Sequence, residues 1–424
     1  MKKIGLVVFT TLIIIIAGVF SVIYFNNPKE DNPNETLIPL ADDTNATADS
    51  VNSLVDSLNT FSLDFYNEII DEEDGNIFFS PYSIFTAFSM AYEGADGNTA
   101  DEMKEVLNIL QNDSKTLGSF GRIYNLLNQN QVGYKISTAN AFWKNYDYFF
   151  LDSYINILKN FYMAEANELD FSKNVEAAET INTWIEEQTN GKIKDLIEPD
   201  ILSEVTKLVL TNAIYFKGDW AYPFNKELTY ESDFTLDSND TKTVDMMVSD
   251  SENSVFNYTT TDELQIIELP YYGNEMSMII VLPKENNITA AESVISAENI
   301  TTWKSDFYET EITVKIPKFK FETKYLLNSI MQNMGMLDAF TSNADFSKMD
   351  GTRELFISKA LHQAYIDVNE EGTEAAAATA IVVELKAIPD PKEFTADHPF
   401  IFLIEHKPTD SILFMGKVMD PSIE

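Results

Sequence analysis

The stretch Asn369–Pro389, NEEGTEAAAATAIVVELKAIP, limits what this chain can fold into more than any other. It follows a run that alternates like a strand, with Ala364, Ile366 and Val368 on one side and Tyr365, Asp367 and Asn369 on the other. Two further strand-like runs follow it, Pro399–Ile404 and Ser411–Val418, and no Gly or Pro interrupts it between Gly372 and Pro389. A connection this long inside a compact domain is uncommon unless it is functional or disordered. Propensity alone reads Glu374–Ala380 as helix and the β-branched Ile381, Val382 and Val383 as strand. A period of two is more informative. It puts Thr373, Ala375, Ala377, Thr379, Ile381 and Val383 on one face, and Glu374, Ala376, Ala378, Ala380, Val382 and Glu384 on the other. A small apolar face backed by one that carries both acids can lie exposed as a loop, yet also enter a sheet without burying a carboxylate. An Ala-rich helix or a solvated tether is the competing reading.

The rest of the chain divides by pattern. Helical spacing predicts helices over Val51–Ile70, Ile84–Tyr92, Thr99–Leu107 (capped by Thr99 with Glu102 three residues on), Ser114–Asn128, Tyr154–Phe161 and Ala177–Gln188. Short strands are expected at Asn76–Phe79 and Ile136–Trp143. After about residue 200 strands dominate: Leu208–Phe216, Thr243–Val248, Leu264–Leu269, Met276–Leu282 and Ile312–Ile316, interrupted by one helix at Tyr325–Met334. Helices first and strands later, without regular alternation, predict an α+β fold, with 51–424 as one domain.

Ahead of it, Lys2 and Lys3 precede an uncharged run from Ile4 to Phe25, long enough to cross a bilayer. Residues 1–25 are therefore expected to be a signal-anchor, with a cleaved signal peptide as the alternative. The positive-inside rule puts the main domain outside the cell, membrane-held or secreted. Residues 26–50 read as a flexible acidic linker. Triplets permissive for N-glycosylation start at Asn34, Asn45, Asn112, Asn239, Asn257, Asn287 and Asn299. A net charge of -39, from 29 basic and 68 acidic residues, argues against nucleic acid and anionic membrane surfaces as partners. Cysteine is absent, and His362, His398 and His406 are too scattered to suggest a ligand set; no cofactor or metal is expected. Nucleophile elbows, P-loops and H-E-x-x-H are missing, and carboxylate pairs such as Glu186/Glu187 read as solvated faces. The chemistry points away from an enzyme.

Several stretches, in order, resemble the serpins over essentially all of 51–424: NIFFSPYSIFTAFSMAYEGADGNTADEM (76–103), LVLTNAIYFKGDWAYPF (208–224), PKFKFETKYLL with MGMLDAFTSNADFS (317–347), LHQAYIDVNEEGTEAAAATA (361–380) and FTADHPFIFLI (394–404). Gln363 stands where Lys is commoner in that family. The resemblance implies three β-sheets, about eight or nine helices, a metastable monomer and an exposed reactive-centre loop at 370–388. It also implies irreversible suicide-substrate inhibition of a serine protease, in which the cleaved loop inserts into the large sheet. A serpin-fold binding protein that traps no protease is the alternative. The hinge would be Glu370, Glu371, Gly372, Thr373, Glu374, Ala375, Ala376, Ala377, Ala378 and Thr379. Family spacing counted from either end puts the scissile bond at Lys386–Ala387, which suits a trypsin-like target cleaving after Lys or Arg; cleavage after Leu385 is the competing reading. Ser80, Ser83, Asn212 and His362 match the polar cluster beneath the large sheet, and Trp220 the tryptophan where the loop first enters.

Overall fold

A polar segment, and not an apolar one, opens the folded part of the chain. The computed structural model describes residues 40–110, 113–128, 133–249, 255–373 and 392–423. Ala41 is buried, and the Asn125 side chain satisfies both its amide and its carbonyl, at 2.9 and 3.0 Å. Residues 40–50 thus pack on the domain although composition assigns them to the linker; backbone hydrogen bonds do the attaching, and apolar periodicity cannot report those. Helix α1 (Ala48–Ile69) starts with a reciprocal cap between Thr47 and Ser50 and buries Leu54, Leu58, Phe61, Phe65 and Ile69.

Strand β1 (Ile77–Phe79) runs into α2 (Pro81–Glu93), whose N-cap is Ser80 with Pro81 in the first turn. Residues Pro81–Tyr92 are all buried, so α2 runs through the core. Helix α3 (Gly97–Val106) corrects a prediction, because its N-cap residue is Asp96 and not Thr99. Thr99 Oγ1 accepts the Asp345 amide at 2.9 Å, and the Glu102 carboxylate accepts the amides of Leu337 and Asp338 at 2.8 and 2.7 Å. The residues read as a local cap instead tie α3 to a distant segment. Next come α4 (Ser114–Asn128), β2 (Tyr134–Asn145), α5 (Asp152–Ile157), β3 (Glu165–Leu169), α6 (Asn174–Gln188) and β4 (Leu208–Asp219).

The strand-rich half holds β5 (Tyr230–Thr235), β6 (Thr241–Val248), β7 (Val255–Thr260), β8 (Leu264–Pro270), β9 (Met276–Pro283), helices α7 (Ile288–Glu292) and α8 (Ala297–Ser305), then β10 (Tyr308–Pro317). Where a helix is expected over Tyr325–Met334, β11 (Phe319–Leu326) continues to Leu326 and α9 covers only Leu327–Asn333. The period-two burial of Phe319, Phe321 and Tyr325 against exposed Lys320, Glu322 and Lys324 overrides the helical spacing that overlaps it. A short α10 (Ser347–Asp350) precedes β12 (Ile357–Asn369), β13 (Gly372–Thr373), β14 (Lys392–Thr395), β15 (Phe400–His406) and β16 (Ser411–Val418).

Six strands form one sheet in the order β11-β12-β13-β4-β2-β3. The other ten are linked as β1-β16-β15-β9-β8-β7-β10-β6-β5, with β14 on β10. This second system divides at β10: Tyr308–Glu311 pair with β7, whereas Ile312–Pro317 pair with β14 and β6. The result is α+β with the three sheets the resemblance implies, and ten α-helical segments among the described residues, several of one or two turns. Phe78 of β1 joins the sheets, stacking on Phe402 and Phe414 at 5.8 and 5.5 Å and meeting Phe321 edge-on at 6.4 Å. Among the described residues no helix is long and apolar enough to cross a membrane; the predicted span Ile4–Phe25 lies outside them.

Candidate functional site

Strands β12 and β4 run parallel and pair directly from Ile357/Leu208 up to Tyr365/Tyr215. Beyond Tyr365 they part, and β13 fills the gap. Thr373 lies between Val368 and Gly218, and Gly372 between Asn369 and Asp219, antiparallel to both neighbours. The approach demands glycine: a Cβ on Gly372 would stand 2.0 Å from the Gly218 carbonyl oxygen and 2.8 Å from Asp219 Cα. Thr373 is 1% exposed, and its hydroxyl meets the Tyr271 hydroxyl at 2.7 Å. Thr373 thus lies on the inward face that the period-two reading gives it.

Trp220 closes the top of this fork. Its ring stacks on Tyr271 at 4.5 Å, its indole N–H donates to the Asn369 carbonyl at 3.0 Å, and its amide donates to the Glu371 carbonyl at 2.9 Å. Phe224 likewise donates its amide to the Glu370 carbonyl at 2.8 Å. The Glu370 side chain is buried, 3.3 Å from Lys318 Nζ and 2.9 Å from Thr229 Oγ1. Burial pushes its carboxyl up, but hydrogen bonds from its own amide and from Thr229, with the Lys318 charge, outweigh that and hold it below the ordinary value. Glu371 pairs with Lys226 at the surface.

Lower in the same sheet, one row crosses four strands: Tyr325 of β11, His362 of β12, Asn212 of β4 and Asn140 of β2 are mutual register partners. Tyr325 stacks on the His362 ring, with centroids 6.5 Å apart. The Ser80 amide donates to His362 Nε2 at 3.0 Å, so the ring proton sits on Nδ1 and goes to Asn212 Oδ1. Asn212 Nδ2 donates to Ser83 Oγ at 2.5 Å and Asn140 Oδ1 at 2.6 Å, while Ser80 Oγ donates to the Leu413 carbonyl at 2.6 Å. Burial pushes the His362 pKa down to about 3, so the ring is neutral. The structure therefore brings Ser80, Ser83, Asn212 and His362 together, and gathers Trp220, Glu370, Glu371, Gly372 and Thr373 higher up the same strands. Sequence reasoning missed Asn140, Tyr271, Tyr325, Thr229 and Lys318; alternation along β11 is the signal that could have found Tyr325. Gln363, on the opposite face, is buried and donates to the Glu322 carboxylate and the Lys194 carbonyl. Glu374, Ala375, Ala376, Ala377, Ala378, Thr379, Lys386 and Ala387 lie outside the described residues.

Two parallel strands thus fork at the top, with a two-residue strand seated in the fork and a polar row linking the strands below. Comparisons with known proteins agree with that architecture. A sequence model of the Serpin (serine protease inhibitor) family matches residues 56–421. An uncharacterized serpin-like protein of the archaeon Methanosarcina acetivorans is 41% identical over 394 residues, covering 90% of this chain and 92% of that one. The leukocyte elastase inhibitor of Xenopus laevis is 39% identical over 375 residues, 85% of this chain and 97% of the inhibitor. Among solved structures, human thyroxine-binding globulin superposes with a TM-score of 0.80 at 29% identity, covering 88% of this chain and 100% of that one. With a forked sheet, a two-residue strand seated in its fork and a family match spanning nearly the whole folded part, the chain belongs to the serpin family.

Proposed function

We propose that this serpin is an irreversible suicide-substrate inhibitor of a trypsin-like serine protease. The observation that carries the reading is β13: the residues leading into Glu374–Thr379 already form strand pairs on both sides of the fork, in a register that can continue downward. The protease takes Lys386–Ala387 as a substrate bond. Its serine oxygen adds to the Lys386 carbonyl, the Ala387 nitrogen leaves with a proton, and the Lys386 acyl group stays esterified to the serine. The freed segment then zips into the fork, and the ester carries the protease with it before water can release it. Lys386 suits a specificity pocket that holds an acidic group. The reading puts the domain outside the cell, held by or released from Ile4–Phe25.

Mixing the protein with trypsin-like proteases should give a complex that survives denaturing electrophoresis; clean cleavage without a complex, across several such proteases, would overturn the reading. Thr373→Arg should convert inhibitor to substrate, because a guanidinium is costly to bury at a site 1% exposed and packed on the Tyr271 hydroxyl. The likeness to thyroxine-binding globulin favours the second reading, a serpin-fold carrier. An inserting loop raises thermal stability on cleavage, and a carrier whose loop stays out gains none.

A further inference from the structure

The Lys386–Ala387 bond lies a fixed length of chain from a surface that loop insertion does not use. Five residues separate Ala387 from Lys392, the first residue of β14, and they span at most about 18 Å. A compact protease domain of roughly 200 residues has a radius of gyration of about 16 Å. A protease seated on that bond is therefore brought within reach of the ground around Lys392, on the leaving-group side of the bond.

That ground is a strip of aromatic rings on one face of β7 and β10. Lys392 stands opposite Ile312, where β10 changes partners, and its side chain reaches back to Tyr308. Nζ donates to the Tyr308 hydroxyl at 3.2 Å and lies 4.9 Å from the ring centre. The Tyr308 ring meets its register partner Tyr258 edge-on at 5.9 Å, and the Tyr258 hydroxyl donates to Gln265 at 3.1 Å. Two residues back along β7, on the same side, Phe256 meets the ring of Tyr222 edge-on at 5.6 Å. Phe256 and Tyr258 are buried, whereas Tyr222 and Tyr308 stay 37% and 42% exposed.

We propose that Tyr308 and Tyr222, with Lys392 over the Tyr308 ring, form a second contact surface for the target protease. The edge bordering the leaving-group side of the protease cleft engages it, outside the specificity pocket, and this contact sets how fast the bond is reached. Chain length names the occupant, because the strip adjoins the strand on which the chain returns from the bond. The rings name the contact. Each exposed tyrosine is braced by a buried ring, and Tyr308 by a cation as well, so little side-chain freedom is left to lose on contact. Tyrosines of this kind are enriched where interfaces concentrate their binding energy. Proteases that share an acidic pocket are then told apart by how well this edge fits.

The proposal rests on the inhibitor reading, and its test separates the two. Wild type, Tyr308→Ala, Tyr222→Ala and Tyr308→Phe are mixed with trypsin and several other trypsin-like proteases. Phe149→Ala is the control, a ring 78% exposed beyond the lower end of β2. The quantity followed is the rate at which the Lys386–Ala387 bond is broken, whether the protease is then trapped or released. With at least one protease, each alanine variant at the strip should be cleaved about five- to thirtyfold more slowly than wild type, the range of one interface hot spot. Tyr308→Phe should recover most of the loss, and Phe149→Ala should match wild type. The share of cleaved molecules that end as trapped complex should stay the same in all of them, because the strip takes no part in insertion. If Tyr308→Ala melts well below wild type, Tyr222→Ala and Tyr308→Phe carry the decision. No cleavage at Lys386 by any of the proteases overturns the inhibitor reading and the strip with it. Cleavage there, with the alanine variants within twofold of wild type for every protease, overturns the strip alone.

Discussion

Protonating His362 should unlock the polar row, and the cost follows from its surroundings. The ring is fully buried against Tyr325; Nε2 accepts the Ser80 amide, and Nδ1–H goes to Asn212. A second ring proton would point at a backbone N–H that is itself a donor. Burial accordingly pushes the group from its ordinary value of 6.5 down to about 3. In the unfolded chain His362 takes up its proton near its ordinary pKa. Between the two values the unfolded state binds more protons, so this contribution to stability is intact above the unfolded pKa and is lost as pH falls toward the folded one. At pH 5 the loss is about 2 kcal/mol, at about 1.4 kcal/mol per pH unit. The assay is urea unfolding, followed by tryptophan fluorescence, of wild type and His362→Gln at pH 7.5 and 5.0. Glutamine keeps one donor and one acceptor but does not titrate. At pH 7.5 the variant should be about 1–2 kcal/mol less stable, having lost the ring's packing. Its further fall on going to pH 5.0 should be about 2 kcal/mol smaller than that of wild type. His406, also held low at about 4 by burial, is present in both proteins and cancels in the comparison. Equal falls in the two proteins would refute the assignment of His362 as a buried neutral member of the row.

Gly372→Ala should expel β13, because the new methyl meets only backbone, the Gly218 carbonyl and Asp219 Cα, neither of which can turn aside. The expected result is a loss of about 1–3 kcal/mol in urea unfolding and a change in emission of Trp220, which donates to Asn369 beside the displaced strand. Lys318→Met removes the cation beside buried Glu370. Because Lys318 is 38% exposed, the loss at pH 7 should be about 1–2 kcal/mol, below that of a fully buried pair. Glu370 is held below its ordinary value in the wild type, so this stability is present above that value and is lost only as pH falls below it and the carboxyl protonates, where wild type and variant should converge in urea unfolding.

Much of the fold was legible because strands here obey period two wherever one face is buried. Ala364, Ile366 and Val368 face the core and Tyr365, Asp367 and Asn369 do not, as their spacing says. The same rule places Thr373, whose strand partner Val368 is also inward. What stayed hidden was of three kinds. At Thr99 and Glu102 the local pattern of a cap was present, but the side chains satisfy amides more than two hundred residues away, and no window along the sequence contains those partners. At Tyr325 two periodicities overlap, and pairing with β12 along the whole of β11 decides for the strand. Asn140 belongs to a third case: a lone asparagine in an otherwise ordinary strand becomes part of the row only because β2 and β4 align it with Asn212.

On the insertion reading, the place of the His362 row along the fork is what would hold the chain short of full insertion. Above Tyr365/Tyr215 the two strands share no pairing, so on that reading the first steps break no bond between them. From the next row, opposite Tyr365 and Tyr215, each hydrogen bond made to the incoming strand replaces one between β12 and β4, so the gain per step is offset by a bond broken. The same register brings Thr379 between His362 and Asn212, where the bolt between the two strands must be opened. A buried donor and acceptor left unpaired there cost about 1–3 kcal/mol each. A hydroxyl can accept from His362 Nδ1 and donate to Asn212 Oδ1, restoring both partners once the strand has arrived. On that reading the barrier lies at the bolt and not at the mouth of the fork. On the insertion reading the His362 row holds the segment back, and a threonine at position 379 would let the row close again behind it.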